Sequence, residues 1–287
     1  MSLLRRIASK LKRTLRSAQP LALAPAATQA LRQPAVDGVD FQCNICGSHN
    51  HDVERALVSN REANSCRHCY SSLRMRSMVH ALALELFGKP LLLPDFPEDK
   101  SLLGLGMSDW DGYALALAHK LGYTNTYYHT EPRLDIIHPD ERWLGQTRFL
   151  ISGDVFEHIP IRDLAPALHN CRRLLSDDGV MLFTVPYFKM ERTQEHFPNL
   201  YDFRIVEEEG KRVLLNTTID GQQERFEDLV FHGGEGSTLE MRLFAETDLL
   251  ALLQQAGFSS TRIYTDIVPE HGILWPMDWA VPIAARA

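Results

Sequence analysis

Four of the five cysteines form two CxxC pairs, and this spacing is typical of a metal site. Cys43 and Cys46 make the first pair, and Cys66 and Cys69 follow after nineteen residues. Each CxxC turn directs two thiolates at one point, so two turns complete a tetrahedral set of sulfur ligands of the kind zinc prefers. Four protein ligands leave no open coordination position, and we therefore predict a structural zinc site; redox dithiols and a fortuitous spacing of cysteines are the alternatives. The fifth cysteine, Cys171, is expected to be a small buried hydrophobe.

Five arginines surround the cysteine pairs. They are Arg55, Arg61, Arg67, Arg74 and Arg76. We interpret them as a docking or substrate-gating surface, and contact with nucleic acid is the alternative.

A second set of residues that could do chemistry lies where a predicted strand ends. The segment Ser101–Leu105 reads as a strand and runs into a turn that contains Gly104, Gly106, Ser108 and Asp109. Glycines there allow a ligand to approach the backbone, and the N-terminus of the helix that follows favours a carboxylate. Because ligands of an open α/β sheet bind at the carboxyl ends of its strands, we expect this turn to line a ligand site.

An acid after the next predicted strand extends this expected site. Glu131 lies about 20 residues beyond the glycine turn, where an acid can hydrogen-bond a ribose diol. The glycine turn alone does not identify the ligand.

Strand and helix patterns alternate along most of the chain, and these elements must position the residues above. Strands are predicted over 101–105, 126–130, 148–152, 180–185, 261–265 and 279–284, and helices over 73–88, 112–121, 161–175 and 246–256. Such alternation favours parallel βαβ units. We therefore predict an α/β protein with a Rossmann-like, doubly wound and mostly parallel sheet.

The chain divides into three predicted parts. Residues 1–38 combine a basic amphipathic segment with a linker rich in Ala, Pro and Gln. Residues 39–72 form the four-cysteine zinc knuckle, and 73–287 form the α/β domain. Within that domain, 187–240 interrupts the alternation, and we expect a β-hairpin around Glu209-Gly210 there.

The middle of the chain carries a resemblance to a known family. Ser152–Pro160 contains a Glu157-His158 pair, and a predicted helix, an Asp178-Gly179 turn and a strand ending at Pro186 follow it. This order resembles class I S-adenosylmethionine-dependent methyltransferases of the type 11/12-like group. The resemblance implies that the protein binds S-adenosylmethionine and transfers its methyl group by direct SN2 displacement. It also implies that the interrupting segment covers the substrate.

The resemblance further implies roles for individual residues. Gly104, Gly106, Ser108 and Asp109 match the turn that holds the methionine portion of the cofactor. Glu131 matches the acid that binds the ribose hydroxyls, Asp135 is expected on the adenine side, and Asp154 matches a position that lines the cofactor cleft.

The sequence departs from the family pattern at the glycine turn. Gly104 stands where the family has an acid, and Ser108 and Trp110 stand where it has glycines. The third strand is nearly absent, because Glu131 and Asp154 are 23 residues apart. We expect the cofactor to bind through altered contacts; a methyltransferase fold that has lost catalysis and serves as a scaffold is the alternative.

Histidines are the candidate bases for removing a proton from the acceptor. His158 is one candidate, although a pair such as Glu157-His158 can also orient its loop and wall an acceptor pocket. A third interpretation is a divalent metal bound by Asp154, Glu157 and His158, a spacing that locally resembles ubiquinone-biosynthesis O-methyltransferases. In the interrupting segment, His232 lies beside glycines and is the preferred base, and His196 is a further candidate. For each of these two, a hydrogen-bonded loop histidine is the alternative.

Charge is distributed unevenly and bears on the partners. The chain carries 30 basic and 37 acidic side chains, but residues 1–38 hold seven basic side chains and one acid. The remainder is strongly acidic, which disfavours nucleic acid because its phosphates are repelled. We predict a small-molecule, glycan or lipid-linked acceptor; an RNA methyltransferase with a zinc-binding recognition module is the alternative.

The N-terminal segment and the hydropathy pattern predict where the protein works. In 1–17, apolar residues recur at helical spacing beside six basic ones, which is typical of a helix lying on anionic lipid; a frayed basic tail is the alternative. No apolar run approaches the roughly 18 residues needed to span a bilayer, and the N-terminus lacks a secretory core. We predict a cytoplasmic protein, with peripheral membrane contact through 1–17.

Overall fold

The computed structural model describes residues 37–232 and 238–287. The basic segment predicted for 1–17 lies outside the described residues, so its membrane contact stays a prediction. The described residues belong to one compact unit. Within them, every helix is too short or too polar to cross a bilayer.

The cysteine module begins the described chain. It contains an antiparallel pair, β1 (Gly38–Gln42) and β2 (His49–Glu54), followed by the short helix α1 (Arg55–Val58). After the second CxxC pair comes α2 (Leu73–Phe87), which begins after Ser72 and ends at Gly88 with a φ of 67°. Glycine suits this end of the helix because it adopts the left-handed conformation without steric cost.

The chain then alternates between strands and helices, as the sequence predicts. The elements are β3 (Asp99–Met107), α3 (Asp111–Lys120), β4 (Leu121–Thr126), β5 (Thr147–Gly153), α4 (Ile161–Leu174) and β6 (Leu175–Thr184). β3 pairs with β4 and with β5, and β5 pairs with β6, all in parallel.

The segment after β6 forms three small sheets. Its strands are β7 (Tyr187–Phe188), β8 (Gln194–Glu195), β9 (Asp202–Glu208), β10 (Lys211–Thr217), β11 (Gln223–Phe226), β12 (Phe231–His232), β13 (Thr238–Leu239) and β14 (Arg242–Ala245). β9 and β10 form the predicted hairpin, and Glu209 and Gly210 both have positive φ in its two-residue turn. β11 adds a third strand to this hairpin. β14 pairs with β7 and β8.

The last elements complete the central sheet. They are α5 (Glu246–Gln255), β15 (Ser260–Ile263) and β16 (Ile283–Arg286). β16 is antiparallel both to β6 and to β15. The six strands lie in the order β15-β16-β6-β5-β3-β4. The predicted α/β fold class with a doubly wound, mostly parallel sheet is therefore confirmed.

An apolar layer covers each face of the central sheet. Leu150 and Met181 belong to the layer that contains residues of α4 and α5, whereas Phe149 and Leu182 belong to the layer with residues of α2 and α3. Side chains alternate between the faces along a strand, so β5 and β6 need apolar residues at nearly every position.

Two predicted strands are displaced. The strand predicted over 126–130 is wrong, since β4 ends at Thr126 and the backbone N–H of Tyr127 donates to the carbonyl of Pro132 (2.9 Å), which closes a loop. The final strand, predicted over 279–284, begins only after Pro282. Proline has no N–H to donate to a strand ladder, which accounts for the later start.

Candidate functional site

The four cysteines of the CxxC pairs lie together, as predicted. Their Sγ atoms all lie within 4.8 Å of one another. The Sγ of Cys43 lies 3.7 Å from that of Cys69, and the Sγ of Cys46 lies 3.8 Å from that of Cys66. Zinc–sulfur bonds of about 2.3 Å in a tetrahedron place sulfur atoms roughly 3.8 Å apart. The cluster therefore has the dimensions of a four-thiolate metal site.

The two CxxC segments form the same kind of backbone turn. The N–H of Gly47 donates to the carbonyl of Cys43 (2.8 Å), and the N–H of Tyr70 donates to that of Cys66 (3.0 Å). Gly47 and Tyr70 both have positive φ, 76° and 62°. These turns bring the two thiols of each pair to one point, as the spacing predicts.

A buried arginine joins the cysteine cluster to the α/β domain. Arg76, in α2, is fully buried, and its guanidinium donates to Ser71 O (2.8 Å), Ser65 Oγ (2.9 Å) and Gly272 O (2.9 Å). The Ser71 hydroxyl lies 3.3 Å from the Sγ of Cys43. Ser71 therefore links the guanidinium of Arg76 to the Sγ of Cys43.

At the carboxyl end of β3, the turn begins later than predicted, at Ser108. Ser108 has a φ of 57°, and its N–H donates to the carbonyl of Thr126 (2.7 Å). The next residue, Asp109, is 7% exposed, and its carboxylate accepts hydrogen bonds from the hydroxyls of Tyr113 and Tyr123. Burial raises the pKa of Asp109 to about 6, although these two hydroxyls act to lower it.

Gly104 and Gly106 do not lie in the turn, so the predicted position of the turn is wrong, whereas their contact with a cofactor stays a prediction. Both lie within β3, and side chains of the protein cover them. A Cβ atom on Gly104 would lie 2.1 Å from the ring of Phe149, and one on Gly106 would lie 1.9 Å from the hydroxyl of Tyr123. The packing of these two aromatic side chains therefore requires glycine at both positions.

At the carboxyl end of β5, Asp154 lies in a cluster of ion pairs. Its Oδ1 accepts from Nη2 of Arg61 (2.7 Å), and its Oδ2 accepts from Nη1 of Arg61 (2.9 Å). Nε of Arg74 lies 3.4 Å from the same Oδ2, and Arg74 also donates twice to Glu62 (2.9 Å each). Burial alone would raise the pKa of Asp154, but the charges of Arg61 and Arg74 outweigh it and hold that pKa well below its ordinary value.

This Asp154 cluster, which we define as Arg61, Glu62, Arg74 and Asp154, joins distant parts of the chain. Arg61 and Glu62 precede the second CxxC pair, and Arg74 lies in the first turn of α2. The charge of Arg74 also opposes the rise that burial causes in the pKa of Asp109, so one guanidinium acts on the ends of both β3 and β5. The sequence predicts Arg61 and Arg74 only as part of a basic surface, and no local signal ties them to Asp154.

Glu131 and Asp135 lie in the loop after β4 and contact Arg133 within that loop. Glu131 is exposed, and its carboxylate accepts a hydrogen bond from the backbone N–H of Arg133 (3.0 Å). Asp135 lies 3.7 Å from the guanidinium of Arg133. Asn125, near the end of β4, donates to the carbonyl of Asp109 (2.9 Å) and so ties the base of this loop to the turn after β3. The roles of Glu131 and Asp135 at a cofactor stay predictions.

Two of the candidate histidines, His196 and His232, lie in the segment after β6, and the third, His158, contacts that segment. Nδ1 of His158 donates to the carbonyl of Leu239 (2.8 Å), which makes Nε2 the basic nitrogen of its neutral ring. Nε2 of His196 lies 3.0 Å from Oε1 of Glu240. The backbone of His232 lies in β12, and its side chain is outside the described residues.

The divalent-metal site considered for Asp154, Glu157 and His158 is not formed. Two guanidinium groups hold the Asp154 carboxylate, whereas the ring of His158 contacts Leu239 and lies 3.7 Å from Glu157. In the part of the chain that the structure describes, the cysteine cluster is the group whose donor atoms lie close enough together for a metal ion.

A cavity of about 360 Å³ opens beside His196. The rings of Phe197 and Phe226 line it together with the carboxylates of Glu227 and Glu240.

No protein-family model matches the sequence, and no curated protein matches it. Among solved structures, a sugar N-methyltransferase from Streptoalloteichus (KedS8) is 14% identical, with 72% of this chain and 84% of that chain covered and a TM-score of 0.40. An amino pentose methyltransferase from Micromonospora echinaspora (CalS10), solved with S-adenosylmethionine, is 14% identical over 75% and 92% of the two chains, with a TM-score of 0.40. The 1,6-didemethyltoxoflavin-N1-methyltransferase from Burkholderia thailandensis is 14% identical over 73% and 77%, with a TM-score of 0.37.

Proposed function

We propose that this protein binds S-adenosylmethionine and transfers its methyl group to a small-molecule or glycan acceptor. The sheet supports this proposal, because a reversed last strand between two parallel neighbours belongs to the class I methyltransferase fold that the sequence resembles. The chain leaves β3 for β4 on one side and later adds β5 on the other, so the strand order reverses between β3 and β5. Ligands of doubly wound sheets bind at such a switch point. The observation that carries the proposal is that Asp109 and Asp154 flank this point.

The residues at the switch point fit the cofactor by charge. The amino-acid end of S-adenosylmethionine carries an ammonium and a carboxylate, and the site offers the carboxylates of Asp109 and Asp154 beside two guanidinium groups. Toward the nucleoside, Glu131 would hold the ribose hydroxyls and Asp135 would lie on the adenine side. The exposed ring of Tyr128 in the same loop offers a surface for stacking.

The cofactor supplies an electrophilic methyl group on a sulfonium. The protein has to place the acceptor in line with the carbon–sulfur bond, whose electron pair returns to sulfur as the new bond to the acceptor forms. When the acceptor is an alcohol, a histidine removes its proton. His158, whose basic nitrogen is Nε2, and His232 in β12 are the proposed bases, and His196 beside the 360 Å³ cavity is a third. The cysteine cluster is proposed to hold zinc in a structural role.

Calorimetric titration of the full chain with S-adenosylhomocysteine tests the proposal. We expect micromolar affinity for the wild type. The Glu131→Ala variant should lose roughly 1 to 3 kcal/mol of binding free energy, as for a lost hydrogen bond to a charged group. Glu131 is exposed, so its removal should leave the fold intact. Glu98→Ala removes another exposed acid, which lies 3.4 Å from Lys120, and serves as the matched control. Folded wild-type protein that gives no binding heat would contradict the proposal.

A second candidate function, a scaffold of this fold without methyl transfer, is favoured by one observation. The rings of Phe149 and Tyr123 fill the space over Gly104 and Gly106. The same titration separates the two candidates, because a scaffold without cofactor would show no binding in any variant.

A further inference from the structure

The cysteine module delivers a charged side chain to the end of β5. Arg61 lies five residues before Cys66, yet its guanidinium leaves the module and pairs with Asp154, 93 residues away in sequence. Its Nε donates to the carbonyl of Ala280 (3.1 Å), and its own carbonyl accepts from the N–H of Arg74 (3.2 Å). The backbone of Arg61 is therefore tied to the start of α2 and its Nε to the loop before β16, whereas its two Nη atoms pair with Asp154.

The Asp154 cluster occupies the position where a ligand of the sheet would bind. A Cβ atom on Gly153 would lie 3.0 Å from Nη1 of Arg74, so this guanidinium lies directly over the backbone that ends β5. The side chains of Arg61, Arg74 and Asp154 are 25%, 17% and 18% exposed. Each of these side chains is therefore largely shielded from water but keeps part of its surface exposed.

A purely structural role explains these ion pairs poorly. Ion pairs removed from water add little net stability compared with apolar packing, because desolvation offsets their attraction. The cluster also holds two guanidinium groups and two carboxylates within one network, which is the charge pattern complementary to a zwitterion. The planar fork of an arginine matches a carboxylate in two parallel hydrogen bonds.

We infer that Arg61 and Arg74 bind the α-carboxylate of the cofactor's amino-acid end, while Asp154 receives its ammonium group. The inference rests on the proposed function and assigns part of the cofactor site to the cysteine module. In this arrangement the Arg61 fork turns from Asp154 to the incoming carboxylate. The module then acts as a wall of the binding site, in addition to any structural role of its metal.

Two ligands that differ only at the amino-acid end test this inference. S-adenosylhomocysteine carries the zwitterion, and 5′-methylthioadenosine has the same nucleoside and thioether without it. We expect Arg61→Ala to weaken the binding of S-adenosylhomocysteine roughly ten-fold or more, and to leave that of 5′-methylthioadenosine within about two-fold. Arg55→Ala, which removes an arginine of the same module paired with Asp37 (2.7 Å), should change neither affinity.

The outcomes separate this inference from the proposed function. If wild-type protein binds neither ligand, the proposed function fails. If it binds both and Arg61→Ala weakens both equally or neither, the inference is overturned and the proposed function stands. Arg61→Lys keeps the charge near Asp154 but lacks the planar fork. It therefore tests the same inference if the alanine variant does not fold. It should weaken S-adenosylhomocysteine binding several-fold while 5′-methylthioadenosine binding is unchanged, and equal affinity for S-adenosylhomocysteine in Arg61→Lys and wild type would also overturn the inference.

Discussion

Asp109 shows how the surroundings of a single residue decide its charge. The hydroxyls of Tyr113 and Tyr123 donate to its carboxylate and favour the ionised form. Burial disfavours that form and has the larger effect, so the pKa of Asp109 rises to about 6. Its charge therefore changes near neutral pH, at the edge of the proposed cofactor site.

This raised pKa predicts that Asp109 makes folding less favourable as the pH rises. The folded-state pKa of about 6 exceeds the unfolded-state value of roughly 3.9, so between these values the folded state holds a proton that the unfolded state has released. Stability that is present below about pH 4 is thus lost as the pH passes through about 6. Compared with Asp109→Asn, the wild type should lose roughly 2 kcal/mol of unfolding free energy between about pH 4 and about pH 7.

Urea unfolding of both proteins at the two pH values measures this difference. The comparison with the variant removes the contribution of every other titrating group. An unchanged difference between wild type and Asp109→Asn would show that the Asp109 carboxyl titrates near its ordinary value.

At the scale of elements, β3 illustrates why glycines in a strand need not mean a ligand. Gly104 pairs with Phe149 of the neighbouring strand, and the aromatic ring lies across the bare backbone. Gly106 leaves room for the hydroxyl of Tyr123 and the carboxylate of Asp109. Close approach of other side chains is a recurring reason for glycine inside a strand.

We expect Gly106→Ala to destabilise the protein by about 1 to 3 kcal/mol, the usual range for overpacking a core. The added methyl group would lie 1.9 Å from the Tyr123 hydroxyl and 2.3 Å from the Asp109 carboxylate. In the double variant Gly106→Ala/Tyr123→Phe the nearest atom is gone, so part of the loss should be recovered. Urea unfolding of the two single variants and the double variant measures this coupling; purely additive effects would argue against the contact.

At the scale of the whole molecule, α2 connects the cysteine module to the α/β domain. Near its start, Arg74 contacts Asp154, and Arg76 donates to Gly272 of the loop before β16. Further along, α2 contributes Leu82 and Ala83 to the apolar layer on one face of the sheet. Loss of the metal should therefore affect more than the module itself.

We predict that Cys66→Ser abolishes zinc binding and lowers the melting temperature of the whole protein. Zinc content should fall from about one ion per chain to nearly none, because a four-thiolate site loses a ligand. Cys171→Ala is the matched control, since Cys171 is fully buried in the core layer of α4 and α5. It should keep its zinc while losing some stability. Full zinc content in Cys66→Ser would rule out the four-thiolate site.

The sequence by itself determined the features that depend on near neighbours. The CxxC spacing predicts the cysteine cluster because each pair is one tight turn. The period of apolar residues predicts α2, α4 and most strands, and Glu209-Gly210 predicts the hairpin because a two-residue turn needs positive φ at both positions. Each of these rules acts over a few residues, so the pattern is visible in the chain itself.

Only the tertiary structure decided what surrounds the ends of β3 and β5. Arg61 meets Asp154 across 93 residues, and Phe149 and Tyr123 fill the space above Gly104 and Gly106. The glycines that the sequence predicts in a turn thus lie in a packed strand. The arginines that it predicts on a surface lie at the proposed cofactor site. Contacts of this kind depend on how the cysteine module, α2 and the sheet pack together. Packing is a property of all their side chains at once, so no local spacing encodes it.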